Sequence, residues 1–151
     1  MKTKLRTILA MMAFAAMLMG GPVFAGAAAE MYLTKVINAE TVVASGTYTS
    51  TPAIDLQDKK MLGYFALQVT VTGSGTCKFE ALVSINGTDY MEPSTFDDIA
   101  SGFTASSGPG SDGKGIYKID LKGIIPRQIK IKVTETGTSD SVIVNAWISY
   151  Q

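Results

Sequence analysis

Thirteen carboxylates, one thiol and no imidazole set the chemistry open to this chain of 151 residues. Without histidine it lacks the commonest general base and the commonest transition-metal ligand. A Ser-His-Asp or Cys-His site is therefore excluded. Two carboxylates flanking a glycosidic bond are a known hydrolytic device, but no spacing here marks one pair from the rest. Asp97, Asp98, Asp112, Asp120, Asp140 and Glu135 fall in or near expected loops. Calcium takes such oxygen ligands, yet neither EF-hand spacing nor a nonapeptide repeat is present, and solvated loop acids are the simpler reading. Ser111-Asp112-Gly113-Lys114-Gly115 lacks the spacing and following helix of a phosphate loop. The chain is expected to hold no metal and no cofactor, and to be no enzyme.

The remaining candidates bind rather than react. Trp147 stands on the face of the last segment opposite Val144, Ala146 and Ile148, together with Ile143. Tyr90 follows the turn-forming pair Asn86-Gly87. Trp147, Tyr90 and Ile143 are thus the candidate ligand or interface contacts. Tyr48, Tyr64 and Tyr117 are further aromatic side chains able to stack on a sugar, although aromatic residues more often serve cores and interfaces. Ser84-Ile85-Asn86-Gly87-Thr88-Asp89-Tyr90 is similar to a hairpin of discoidin-like and other carbohydrate-binding sandwiches, and also to hairpins of virion and surface-layer modules. The resemblance covers one hairpin and implies no binding residue. Asn86-Gly87-Thr88 also matches the N-glycosylation pattern, but it reads as a turn.

The elements that position these residues show period-two alternation. Phe65, Leu67, Val69 and Val71 alternate with Ala66, Gln68, Thr70 and Thr72. Cys77, Phe79, Ala81, Val83 and Ile85 alternate with Thr76, Lys78, Glu80, Leu82 and Ser84. Ile129, Ile131 and Val133 share one face, as do Val142, Val144, Ala146, Ile148 and Tyr150. Such alternation marks half-buried antiparallel strands. It also places Cys77 inward, as a small buried hydrophobe, and Lys78 outward in solvent. Tyr117, Ile119 and Leu121 form a shorter strand. Val42 to Tyr48 and Pro52 to Leu56 are weaker strands.

Gly73-Ser74-Gly75 is expected to close a tight hairpin, and Asn86-Gly87 a type I′ turn. Ser106 to Gly115 reads as a surface loop. Met91 to Phe103 reads as an irregular connection with room for one helical turn. About eight strands at short spacing predict an all-β fold: a single antiparallel β-sandwich, jelly-roll-like or Ig-like.

Residues 1–25 read as a secretory signal peptide of bacterial character. Lys2, Lys4 and Arg6 precede the apolar run Ile8 to Met19, a Gly-Gly-Pro break follows, and Val23 and Ala25 supply small residues for cleavage. The apolar run is too short to span a bilayer. Three of the 13 basic residues lie in this segment and none of the 13 acidic ones does, so the exported part carries a net charge of −3. With no basic patch, no nucleic-acid partner is expected. With one cysteine, no internal disulfide can form.

Residues 26–39 are expected to be an N-terminal edge strand or connector, and 40–151 the sandwich domain. Met31 to Ile37 and Ser141 to Gln151 are poor in charge and apolar on both faces, which predicts either an unprotected sheet edge that pairs with another copy or two strands that pair internally and close the sandwich. The expected function is that of a non-enzymatic structural or interaction module outside the cytoplasm: extracellular, at the cell surface or periplasmic. It would associate with itself or another surface protein, for instance as a subunit of an extracellular assembly. The alternative is a small carbohydrate-binding module using exposed aromatic residues on a glycan.

Overall fold

The computed structural model describes residues 30–59, 63–93 and 96–151. The signal segment 1–25 and Gly26 to Ala29 lie outside them. Nine strands and no helix make up the described residues: β1 (Tyr32–Val42), β2 (Thr47–Thr49), β3 (Ile54–Asp55), β4 (Phe65–Gly73), β5 (Cys77–Ser84), β6 (Ala100–Phe103), β7 (Lys114–Ile119), β8 (Gln128–Glu135) and β9 (Val142–Tyr150). One sheet, A, has the order β1-β9-β4-β7. The other, B, has the order β2-β8-β5-β6, with β3 also paired to β8. All pairs are antiparallel. The chain stays in sheet B from β2 to β3 and from β5 to β6 and changes sheet at every other connection, the pattern of a jelly roll, which decides between the two expected sandwich topologies.

The alternation explains the core. Leu67, Val69 and Val71 of β4 and Val144, Ala146 and Ile148 of β9 face Phe79 and Val83 of β5 and Ile129, Ile131 and Val133 of β8, all buried. Burying each larger aliphatic side chain contributes about 1.5–3 kcal/mol. Phe103 meets Phe79 edge-on at 6.0 Å and Tyr117 at 5.9 Å, which ties β6 to β7 across the two layers. On the other side Tyr32 stacks on Tyr150 at 5.1 Å.

Five expectations fail locally. Gly73-Ser74-Gly75 is a crossover between layers rather than a hairpin, because β4 pairs with β9 and β7 while β5 pairs with β8 and β6. Ser141 to Gln151 is no edge: β9 lies between β1 and β4. Met91 to Phe103, read as an irregular connection, contains the strand β6. Asn86-Gly87 is no type I′ turn, since only Gly87 has positive φ. Instead the Asn86 side chain accepts from the Thr88 and Asp89 amides. Ile85, in phase with the core, is 75% exposed, because the β5–β8 ladder ends at Ser84↔Gln128 and alternation ends with it. β1 is an edge strand paired with β9 of the same chain, and it runs through the boundary between residues 39 and 40. Its register shifts between Lys35 and Ile37 and again between Ile37 and Glu40. Ala39 at φ 51° accompanies them, and such bulges blunt an edge.

One end of the sandwich is fastened by Glu135. Its buried carboxylate accepts from the amides of Ser45 at 2.8 Å, Thr76 at 3.1 Å and Gly137 at 2.9 Å. These amides belong to three connections: β1–β2, β4–β5 and β8–β9. A Cβ at Gly75 or Gly137 would come within 2.9 or 2.6 Å of Glu135 Oε1, so glycine permits the close approach. Hydrogen bonds from Ser45, Thr76 and Gly137 outweigh burial and hold this carboxyl below the ordinary glutamate value.

Phe79→Ala is expected to cost about 3–5 kcal/mol in urea unfolding, and Thr72→Ala on the outer face no more than about 0.5 kcal/mol. Equal losses would mean that the assigned faces are wrong. Glu135→Gln is expected to lower the melting temperature at neutral pH. A depressed folded-state pKa adds stability above the ordinary glutamate value, and that stability is lost as pH falls through the folded value. The gap between the native chain and Glu135→Gln should therefore narrow on acidification, and melting curves across that range check it.

Candidate functional site

The outer face of sheet A is built by cross-strand register. Trp147 on β9 sits opposite Lys35 of β1 on one side and Gln68 of β4 on the other, and Gln68 sits opposite Ile116 of β7. One row across the sheet is thus Lys35–Trp147–Gln68–Ile116. Ser149 lies between Leu33 and Ala66, and Ile143 between Thr41 and Thr72. Leu33 is 69% exposed, Ile116 73% and Ile143 41%. Trp147 is half-buried. The Lys35 ammonium lies over its ring at 4.9 Å and donates to Asn38 Oδ1 at 2.6 Å. Asn145 Oδ1 accepts from the Ala39 amide at 3.0 Å and supports the β1 bulge. Lys114 and Lys118 on β7 are paired with Asp112 and Asp120, at 2.9 and 3.5 Å.

The structure brings two of the three candidate contacts to one surface. Trp147 and Ile143 share the outer face of sheet A, about 13 Å apart along β9 at about 3.3 Å per residue. Tyr90 lies against the other layer. Its hydroxyl hydrogen-bonds Gln128 Oε1, and Lys130 sits over its ring at 3.9 Å. Tyr32 and Tyr150 stack on each other, and Tyr117 packs on Phe103. Tyr64, 64% exposed, precedes β4 in phase with Ala66 and Gln68. Leu33, Lys35, Gln68 and Ile116 were not singled out from sequence. The only local trace of Ile116 is the alternation Lys114-x-Ile116-x-Lys118.

On the outer face of sheet B, Glu80 is buried beneath the β5–β6 connection, and Lys78 beside it is not free in solvent. Lys78 and Lys132 each reach the Glu80 carboxylate at 2.8 Å. Asp98 lies 3.5 Å from Lys78, and Glu92 lies 3.9 Å from Lys132. Burial pushes the Glu80 carboxyl up, but hydrogen bonds from Lys132 and Lys78 outweigh it and leave it below the ordinary value. Burial, then the hydrogen bond to Glu80, raises Glu92. Oxygens of Glu80, Glu92 and Asp98 lie within 4.8 Å of one another. Two ammonium groups, of Lys78 and Lys132, already sit among these three carboxylates, and a divalent cation would have to displace them. It is an ion-pair network that straps the connection to the sheet.

No protein-family model matches the chain, and no curated protein matches it. Among solved structures it is similar to the Yersinia pseudotuberculosis-derived mitogen, at 10% identity and a TM-score of 0.39, covering 80% of this chain and 85% of that one. It is also similar to a family 29 carbohydrate-binding module, at 12% identity and a TM-score of 0.38, covering 79% and 88%. A third is infectious bursal disease virus Gx strain, at 12% identity and a TM-score of 0.41, covering 80% of this chain and 32% of that one. Among the described residues, no helix is long and apolar enough to cross a membrane.

Cys77 is buried at the fastened end. Burial, and secondarily the Glu135 charge, pushes its thiol up to about 12. Thiolate is the reactive form, so a thiol reagent at mild alkaline pH should label the native chain slowly and the denatured chain fast. Rapid native labelling would contradict this placement.

Proposed function

We propose that this chain is an exported, non-enzymatic interaction module that docks a second copy of itself through the outer face of sheet A. The observation that carries the proposal is the exposure of Leu33, Ile116 and Ile143 around a half-buried Trp147 on one sheet face. Aliphatic side chains gain from burial against other apolar side chains, and contiguous exposed apolar surface marks interaction sites. Four strands spaced about 4.8 Å apart present a face on the order of 600 Å². A standard interface takes about 800 Å² per partner. Lys114 and Lys118 are neutralised locally by Asp112 and Asp120, which leaves the Lys35 ammonium over Trp147 as the charge this face presents. Export rests on the charge, apolar run and small residues of 1–25.

A second reading is favoured by one observation: Trp147 and Tyr64 are aromatic and stand on or in phase with the same face. In that reading the face takes a glycan by stacking, in competition with the Lys35 ammonium.

The test is sedimentation velocity across a wide concentration range, on secreted material whose intact mass begins at Gly26. The expected result is a dimer or larger species that Ile116→Asp returns to monomer. A monomer throughout overturns self-association. Glycan binding by that monomer, lost in both Trp147→Ala and Tyr64→Ala, would establish the second reading instead.

A further inference from the structure

The end of the sandwich remote from Glu135 carries a cleft among the described residues. There Ile85 leaves β5, and the β7–β8 connection turns sharply at Leu121–Ile124. Lys122 at φ 45° and Gly123 at φ 83° are both left-handed, and the Ile124 amide donates to the Leu121 carbonyl at 2.8 Å. Two successive positive φ values make a type I′ turn, and the Asp120 carboxylate accepts the Lys122 amide at 2.9 Å to hold it. The turn presents Ile124 and Ile125 outward, with Ile125 89% exposed. Between this turn and Ile85 lies a cleft of about 730 Å³ with Leu56, Phe65 and Leu121 in its walls. Ligand clefts of small molecules span about 300–1,000 Å³ and are mostly apolar with a few placed polar groups.

The polar groups of this cleft have a sign. Lys59, Lys122 and Arg127 line it, against the single carboxylate of Asp120. Lys122 is paired with Asp97 at 3.2 Å, and Lys59 lies over the Tyr32 ring at 4.5 Å. The Arg127 guanidinium is exposed and makes no ion pair among the described residues. An apolar floor rimmed by cations complements a molecule that is apolar in its body and anionic at one end. We infer that this cleft binds an aliphatic carboxylate, its alkyl body against Ile85, Leu121 and Ile125 and its head on Arg127. A guanidinium receives a carboxylate through two parallel hydrogen bonds. The site is separate from the outer face of sheet A, so it stands or falls independently of self-association.

The test is calorimetric titration of the full exported chain with decanoate below its micelle concentration, beside decanol and decyltrimethylammonium. Decanoate is expected to bind, decanol more weakly, and the cation not at all. Arg127→Gln should weaken decanoate about tenfold while leaving decanol unchanged. Ile85→Ser should weaken both. Both variants alter exposed side chains, and unchanged melting temperatures confirm that they fold. Equal binding of anion and cation, indifference to Arg127→Gln, or binding to anionic vesicles without binding of monomeric decanoate would each overturn the inference.

Discussion

Glu135 is a buried carboxylate with no cation beside it among the described residues, and its three amide donors come from three separate connections. A buried charge is costly unless fully hydrogen-bonded. Here the requirement runs in both directions. The carboxylate needs the three amides, and the amides, turned away from the strand ladders, need an acceptor. The connections β1–β2, β4–β5 and β8–β9 are therefore held to one point. Those are three of the six links at which the chain leaves one layer for the other. A jelly roll joins few neighbouring strands by hairpins, so fixing these crossovers fixes the relation of its two sheets.

The two outer faces are managed differently. On sheet B the chain covers its own outward charge: Glu80 sits beneath the β5–β6 connection, neutralised by Lys78 and Lys132. Removing one partner from such a cluster would strand a buried charge, so it holds the connection even though the cluster adds little net stability. On sheet A, among the described residues, Leu33 and Ile116 at either side of the row through Trp147 face solvent. A chain that shields one face with its own loop and leaves the other bare has a face to offer a partner.

Much of this was legible locally. The inward phase of Phe65 to Val71 and of Cys77 to Val83 followed from alternation, as did the outward setting of Trp147 and Ile143. What alternation does not carry is the identity of the neighbouring strand. Gly73-Ser74-Gly75 has hairpin composition, yet nothing in those residues says that β4 and β5 belong to different layers. Ser141 to Gln151 looked like an edge because it is apolar on both sides. It is in fact a central strand whose outer side chains remain uncovered. Lys35 and Gln68 meet Trp147 only through register over long sequence separations, and no local pattern encodes that. Ile85 marks the complementary failure: its phase pointed inward, but phase has meaning only while the ladder continues.

The two ends of the sandwich then divide the work. At the Glu135 end, short connections, glycines in close approach and a satisfied carboxylate leave little freedom. At the other end the longer β5–β6 and β7–β8 connections emerge, and the apolar residues they carry, Ile85 and Ile125, are too exposed to serve the core. Loops carried on a rigid scaffold are where binding usually resides. An unshielded isoleucine at a loop tip is a solubility cost without a folding benefit. Its presence beside an arginine with no ion-pair partner among the described residues is accounted for by an occupant that is apolar and anionic at once.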